Sequence, residues 1–239
     1  MKHLLYAVRY LVATAVFTTY YSARIMLALI LRVKPEPGGV YDRIQQSYGR
    51  AMLASTGMSV RVEGLEHVAP GQPVVYISNH QSWVDIWALL AVLPGVLRFV
   101  FKKELSRVPL LGWAINTLGH VSIDRGNRGS AFASYDSAAE QIRGGVSAIV
   151  FAEGTRSSTG SLQSFKKGPF VLAISAQVPV VPVYCETYQR LPKGSLAPRP
   201  GIVRVRLGSP IATNGLDYAE RDGLADRTRE ALLRLGAQP

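Results

Sequence analysis

Short runs rich in β-branched residues recur through the chain: VVYIS (74–78), VLRFVF (96–101), HVSID (120–124), VSAIVFA (146–152), VPVVPVY (178–184) and IVRVRLG (202–208). Between most of them lie helical stretches, DIWALLAVL, ELSRVPLLGWAINTL, SAFASYDSAAEQIR and GPFVLAISA. Parallel strands need a crossover, and the crossover helices cover both faces of the sheet. The strands are then apolar almost throughout rather than alternating. The pattern therefore predicts an α/β fold, a largely parallel sheet covered by helices. MSVRVEG, from Met58, adds a strand at the start, and Tyr218 to Leu235 reads as a charged amphipathic helix at the end. Pro179 and Pro182 weaken the VPVVPVY strand locally, because a proline suits the edge or end of a strand. At 239 residues, 48% of them hydrophobic, the chain has enough apolar side chains for a core of one ordinary domain.

Residues 1–57 differ from residues 58–239, and the two are read as an N-terminal membrane-associating helical segment and the α/β domain. From Leu4 to Leu31 only Arg9 and Arg24 are charged, and the longest uncharged run, Tyr10 to Ala23, has 14 residues. That is shorter than the roughly 18–20 residues that cross a bilayer comfortably. Two readings fit: a tilted span with snorkelling arginines, or a helix pair lying in one leaflet with Arg9, Arg24, Arg32 and Lys34 at headgroup level. The second is preferred. KPEPGG (34–39) breaks the helix, and a helical pattern resumes from Tyr41 to Thr56.

Lys and Arg exceed Asp and Glu by 27 to 16, a formal charge of +11, which favours polyanions or an anionic membrane face. The single Cys185 excludes an internal disulfide and points to a reducing compartment.

Polar residues concentrate at two junctions between a strand and a following helix or loop. Chemistry in α/β folds gathers beyond the carboxyl ends of strands. NHQSWVD (79–85) follows VVYIS, and EGTRSS (153–158) follows AIVFA. His80 and Asp85 are five apart and would diverge by about 140° on a regular helix, so they meet only if His80 precedes the helix and Asp85 lies in its first turn. Asp85 then fixes the imidazole tautomer and leaves His80 a general base. Ser82 lacks the GxSxG elbow that exposes a nucleophile. His120 and Asp124 form a second His/Asp pair, but no ligand-spacing motif accompanies it and no metal is expected. EGTRSS offers a turn, backbone amides and the guanidinium of Arg156, the parts that hold a phosphate. Arg125, Lys102 and Lys103 close neighbouring strands and could converge on the same anion.

These blocks together carry a family resemblance. NHQSWVD resembles the NHxxxxD block of the glycerolipid acyltransferases. KKELSRVPLLGW leading to GHVSIDR resembles their second block, FAEGTRS the third and VPVVPV the fourth, all in order across about residues 58–210. The chain is most similar to the bacterial 1-acyl-sn-glycerol-3-phosphate acyltransferases. One departure is Ala152, where the third block usually carries a proline. The resemblance implies transfer of a fatty acyl group from acyl-CoA or acyl carrier protein to a lysophospholipid hydroxyl, giving phosphatidic acid, with no cofactor beyond the donor. His80 and Asp85 would be catalytic, and Lys102, Arg125, Glu153, Gly154, Thr155 and Arg156 would hold the acceptor phosphate. The implied partners are the lipid acceptor, the acyl donor and an anionic membrane surface, not nucleic acid. The implied location is the cytoplasmic face of a bacterial inner membrane. An acyltransferase for another lysolipid, such as lyso-ornithine lipid, stays open. So do a non-catalytic protein that binds anionic membranes and a metal-dependent phosphohydrolase.

Overall fold

The computed structural model describes residues 2–34, 36–123 and 128–238. Two helices come first, α1 (Lys2–Ile30) and α2 (Val40–Ser55), and the α/β body starts at β1 (Met58–Glu63). There follow β2 (Val75–Ser78), α3 (Val84–Val92), β3 (Val96–Lys102), α4 (Leu111–Thr117), β4 (Val121–Ile123), α5 (Arg128–Arg143) and β5 (Val146–Phe151). The chain ends with α6 (Gly168–Ala176), β6 (Val180–Glu186), β7 (Gly201–Leu207) and α7 (Arg221–Gly236).

All seven strands join one sheet in the order β1-β7-β6-β2-β5-β3-β4. β6, β2, β5, β3 and β4 are adjacent and parallel, while β7 runs antiparallel to β6 and parallel to β1. Side chains of β2 alternate between two cores: Tyr76 packs with Trp87, Leu89 and Leu97 on the α2/α3 side, and Val75 and Ile77 with Ile142, Phe170 and Leu172 on the α5/α6 side. Every residue of β2 is buried, as a strand covered on both faces requires.

Two expectations change in detail. ELSRVPLLGWAINTL is not one helix: a short 3-10 turn over Lys103–Arg107 and the helix α4 are separated around Pro109, and Leu110 takes a positive φ of 60°. Proline cannot donate within a helix and disfavours the helical conformation before it. Pro182 sits in β6, an interior strand, opposite Ile77. The N–H of Val180 points to Ile211, so by strand alternation the donor missing from Pro182 faces the same side. Regular pairing to β7 starts only at Val183 opposite Leu207, so the proline costs no ladder bond.

The helix α1 is continuous over 29 residues, about 43 Å at 1.5 Å per residue, long and apolar enough to cross a membrane. It exposes Leu4, Leu5, Val12, Val16, Leu27 and Ile30. Its inner side packs Tyr10 on Trp87 and Tyr21 on Tyr48. By contrast α2 spends its apolar face on the protein, burying Tyr41, Ile44, Met52 and Leu53. Gly49 lets it approach α3 so closely that a Cβ there would lie 2.7 Å from the Trp87 carbonyl oxygen. A polar clamp joins α2 to β3: Asp42, buried, accepts from Arg98 at 2.6 Å and from Gln45 at 3.0 Å, and Gln45 also bonds the Leu97 carbonyl.

Beside this clamp, His120 Nδ1 accepts the N–H of Phe99 at 3.0 Å, so the ring serves structure as a neutral acceptor. Burial, reinforced by the nearby Arg98 charge, pushes its pKa down to about 3 from 6.5. Between these values the unfolded chain binds the extra proton. Stability from this group is complete above pH 6.5 and is lost as the pH falls towards 3, by up to about 1.4 kcal/mol per pH unit. Denaturant titrations at a series of pH values should give a shallower acid slope for His120→Gln than for the native chain.

Candidate active site

Five adjacent parallel strands bring their carboxyl ends to one edge, and the polar residues of NHQSWVD divide the work there. Asn79 bridges from β2 to β6, its Oδ1 accepting the Cys185 N–H at 2.7 Å and its Nδ2 donating to the Cys185 carbonyl at 2.9 Å. Gln81 accepts the N–H groups of Thr187 and Tyr188, each at 3.0 Å, and donates to the Gly160 carbonyl at 2.7 Å. Ser82 Oγ donates to the Leu191 carbonyl and accepts the Val84 N–H at the first turn of α3. That hydroxyl is structural and buried, which agrees with its having no nucleophilic elbow.

His80 precedes α3 and Asp85 lies in its first turn, so the two meet: His80 Nδ1 is 2.7 Å from Asp85 Oδ2. The same oxygen accepts the backbone N–H groups of Gln81 at 2.7 Å and Ser82 at 2.9 Å, and Oδ1 is engaged by the Thr187 hydroxyl. The imidazole stacks on the Phe151 ring, centroids 3.8 Å apart and planes within 11°, and Phe151 in turn stacks on Phe99. Asp85 is fully buried, whereas the His80 side chain keeps 14% of its surface. With Nδ1 committed to Asp85, Nε2 is the nitrogen left to exchange a proton with a substrate.

The EGTR turn folds against this dyad. Ser157 N–H donates to the His80 carbonyl at 2.7 Å, and Gly154, at φ 72°, closes a turn through its N–H to the Phe151 carbonyl. Arg156 follows with its guanidinium 4.9 Å above the Trp83 ring, a cation–π seat supplied by NHQSWVD itself. Lys193 donates to the Arg156 carbonyl at 3.1 Å. Thr155 is exposed.

The Glu153 carboxylate turns onto the main chain. It is buried, its Oε1 accepts the His80 N–H at 2.8 Å and its Oε2 the Gln163 N–H at 3.1 Å. Burial pushes its pKa up, against the pull of those two backbone donors. A carboxylate so placed has no hydrogen to offer a phosphate, and its two oxygens hold the main chain at His80 and Gln163. Gln163 is held from the other side by Arg229 of α7, whose guanidinium donates to its carbonyl at 2.6 Å. Lys102 ends β3, one strand beyond β5, with an exposed side chain whose Nζ pairs with Glu104 at 3.0 Å. Arg125 and Asp124 lie outside the described residues. Among the described residues, no group of three or more His, Cys, Asp or Glu side chains could hold a metal ion. Cys185 is buried, and burial raises its thiol pKa well above the usual value.

The family model described as "Acyltransferase" matches residues 59–186, more than half of the chain. The chain belongs to the acyltransferase family. It is 38% identical over 179 residues to the human 1-acyl-sn-glycerol-3-phosphate acyltransferase alpha, an overlap covering 74% of this chain and 63% of that protein. It is 35% identical over 187 residues to the yeast 1-acyl-sn-glycerol-3-phosphate acyltransferase, covering 76% of this chain and 61% of that one. The chain thus spans less than two thirds of the length of these relatives. The crystal structure of the 1-acyl-sn-glycerophosphate acyltransferase PlsC from Thermotoga maritima superposes with a TM-score of 0.79 at 27% identity, covering 99% of this chain and 97% of that one.

Within this acyltransferase fold, sequence spacing brought His80, Asp85 and Arg156 to notice but not Asn79, Gln81, Trp83, Phe151 or Thr187. Asn79, Gln81 and Trp83 lie within NHQSWVD and Phe151 within FAEGTRS, but the sequence assigns them no role, and Thr187 lies outside every block. Replacing Glu153 by Gln turns an N–H donor pair towards a group with only one acceptor oxygen. Glu153→Gln should lower turnover about 10–100-fold, the scale of a hydrogen bond to a charged group. A steady-state assay of the purified protein checks this.

Proposed function

We propose that this protein transfers a fatty acyl group from a thioester, acyl-CoA or acyl carrier protein, to the sn-2 hydroxyl of 1-acyl-sn-glycerol-3-phosphate, giving phosphatidic acid. The observation that carries this reading is the His80 imidazole, tied through Nδ1 to a buried Asp85 and stacked on Phe151, with the Arg156 turn bonded to its own carbonyl. The names and similarity of the human, yeast and Thermotoga relatives support the same reaction and acceptor.

In this mechanism His80 Nε2 removes the proton of the acceptor hydroxyl as its oxygen attacks the thioester carbonyl. The new C–O bond forms, the carbonyl oxygen gains charge, and as the C–S bond breaks the proton on Nε2 passes to the leaving sulfur. Asp85 stabilises the imidazolium that exists between these transfers. The step needs no redox partner and no cofactor beyond the thioester. Arg156, seated on Trp83, takes the acceptor phosphate through its guanidinium fork, with Lys102 and Arg125 from neighbouring strand ends adding charge. Gly154 and Thr155 shape the turn that carries Arg156.

The lipid acceptor and product require work at a bilayer, and the exposed apolar residues of α1 suit insertion there, beside a chain of net charge +11 that favours an anionic leaflet. The proposed setting is the cytoplasmic face of a bacterial inner membrane, where acyl thioesters are made.

His80→Ala should lose thioester-dependent acylation of lysophosphatidic acid by at least about 10²–10⁴-fold, the contribution of a positioned base. Full activity in a folded variant would reject this reading. Arg156→Ala should raise the KM for lysophosphatidic acid more than tenfold (about) and change the KM for lyso-ornithine lipid little, since only the former brings a phosphomonoester to a fork that binds it. Equal sensitivity with both acceptors would point to a different phosphate site. Trp83→Ser, which removes the seat but not the charge, should raise the same KM by about 3–5-fold, in line with a cation–π contribution near 1 kcal/mol.

A further inference from the structure

We propose that Thr187 is a positioning residue for the His80–Asp85 pair, fixing the rotation of the Asp85 carboxylate from the opposite strand. The proposal rests on the reading of His80 as base and adds a residue one position beyond the matched family region, which ends at 186.

The three donors that reach Asp85 Oδ2, namely His80 Nδ1 and the N–H groups of Gln81 and Ser82, all come from the same short turn, three to five residues away in sequence. Such a local set holds one oxygen and leaves the terminal torsion of an aspartate, intrinsically broad, to be decided by the other. Among the described residues the hydrogen bond to Oδ1 comes from the Thr187 hydroxyl, 102 positions along the chain, at the end of β6. Two backbone N–H groups already point at the carboxylate, so it acts as acceptor and the hydroxyl donates. Both residues are completely buried, so water cannot take the hydroxyl's place without a cavity.

Thr187 is itself held on two sides. Its N–H donates to Gln81 Oε1, and the strand before it is locked to β2 by the paired Asn79 bonds to Cys185. The hydroxyl therefore reports the position of β6 to a carboxylate on the β2 side. Rotation of the carboxylate moves Oδ2 off the line to His80 Nδ1, and the imidazole then loses the orientation that aims Nε2 outward. Turnover should suffer, while acceptor affinity, which depends on Arg156 and its neighbours, should not.

The test compares Thr187→Val, which keeps shape and removes the hydroxyl, with Thr187→Ser, which keeps the hydroxyl, in the full-length chain in detergent micelles. Thr187→Val should lower kcat about 10–100-fold, the scale of a hydrogen bond to a charged group, with the KM for lysophosphatidic acid within about twofold of native. Thr187→Ser should recover most of kcat. A second readout does not use substrate: the downfield proton resonance of the His80 imidazole N–H, identified by its loss in His80→Ala, should shift or broaden in Thr187→Val and persist in Thr187→Ser. Native kcat and an unchanged resonance in Thr187→Val would overturn the proposal. So would equal losses in the Val and Ser variants, which would mean that packing rather than the hydroxyl matters. If native protein fails to acylate lysophosphatidic acid, the functional reading fails, and the resonance still decides whether Thr187 orients the pair.

Discussion

Because β6, β2, β5, β3 and β4 are adjacent and parallel, their carboxyl ends share one edge, and no loop needs to be long for distant residues to meet there. His80 comes from just beyond β2, Glu153 and Arg156 from beyond β5 and Thr187 from beyond β6. The edge is also where β2 and β6 part company and would leave backbone groups unpaired. Asn79 solves this by substituting its amide for a missing strand residue, answering both the N–H and the carbonyl of Cys185. Sheet continuity and site geometry are thus one problem with one solution.

The EGTR turn shows how a single loop can serve two electrostatic purposes. Its Glu153 faces inward and is desolvated, stabilised by backbone donors from His80 and Gln163. Three residues on, the Arg156 guanidinium lies over Trp83. A carboxylate facing out beside that arginine would compete with any anion it was meant to hold. Burying it removes that competition and fixes the main chain at His80. The link from Gln163 to Arg229 extends the same support to α7, so the last helix of the fold bears on the loop that follows β5.

How much of this was legible in the sequence depended on whether the signal was periodic. The strands were legible because a sheet covered on both faces writes itself as apolar runs, and β2, with every residue buried, is the clearest case. His80 and Asp85 were legible because a spacing of five makes sense only at a strand-to-helix junction. Glu153 was noticed as a candidate phosphate contact, but its bonds to the main-chain N–H groups of His80 and Gln163 were not legible, since sequence does not say which way a side chain turns at a loop. Thr187 carried no signal at all: one threonine after a strand has no spacing to read, and its partner is 102 residues away. The stretch before α4 looked helical by composition, yet Pro109 divides it, and only the local geometry of Leu110 reveals where.

The same face of α3 connects the apolar N-terminal helix to Arg156. Trp83 and Trp87 are four residues apart and so lie one above the other at the start of α3. Trp87 receives Tyr10 of α1, ring centroids 5.9 Å apart, and Trp83 carries Arg156. The placement of α1 is thereby tied, through neighbouring indoles one helix turn apart, to the angle at which the Arg156 guanidinium is held. An anchor on a flexible tether would leave that angle undefined. Here α1 is also fixed against α2, through Tyr21 and Tyr48, and α2 is clamped to β3 by Asp42 and Arg98. The apolar helix thus packs on the α/β body rather than trailing from it, which keeps its exposed face in a set relation to the strand-end edge that carries His80 and Arg156.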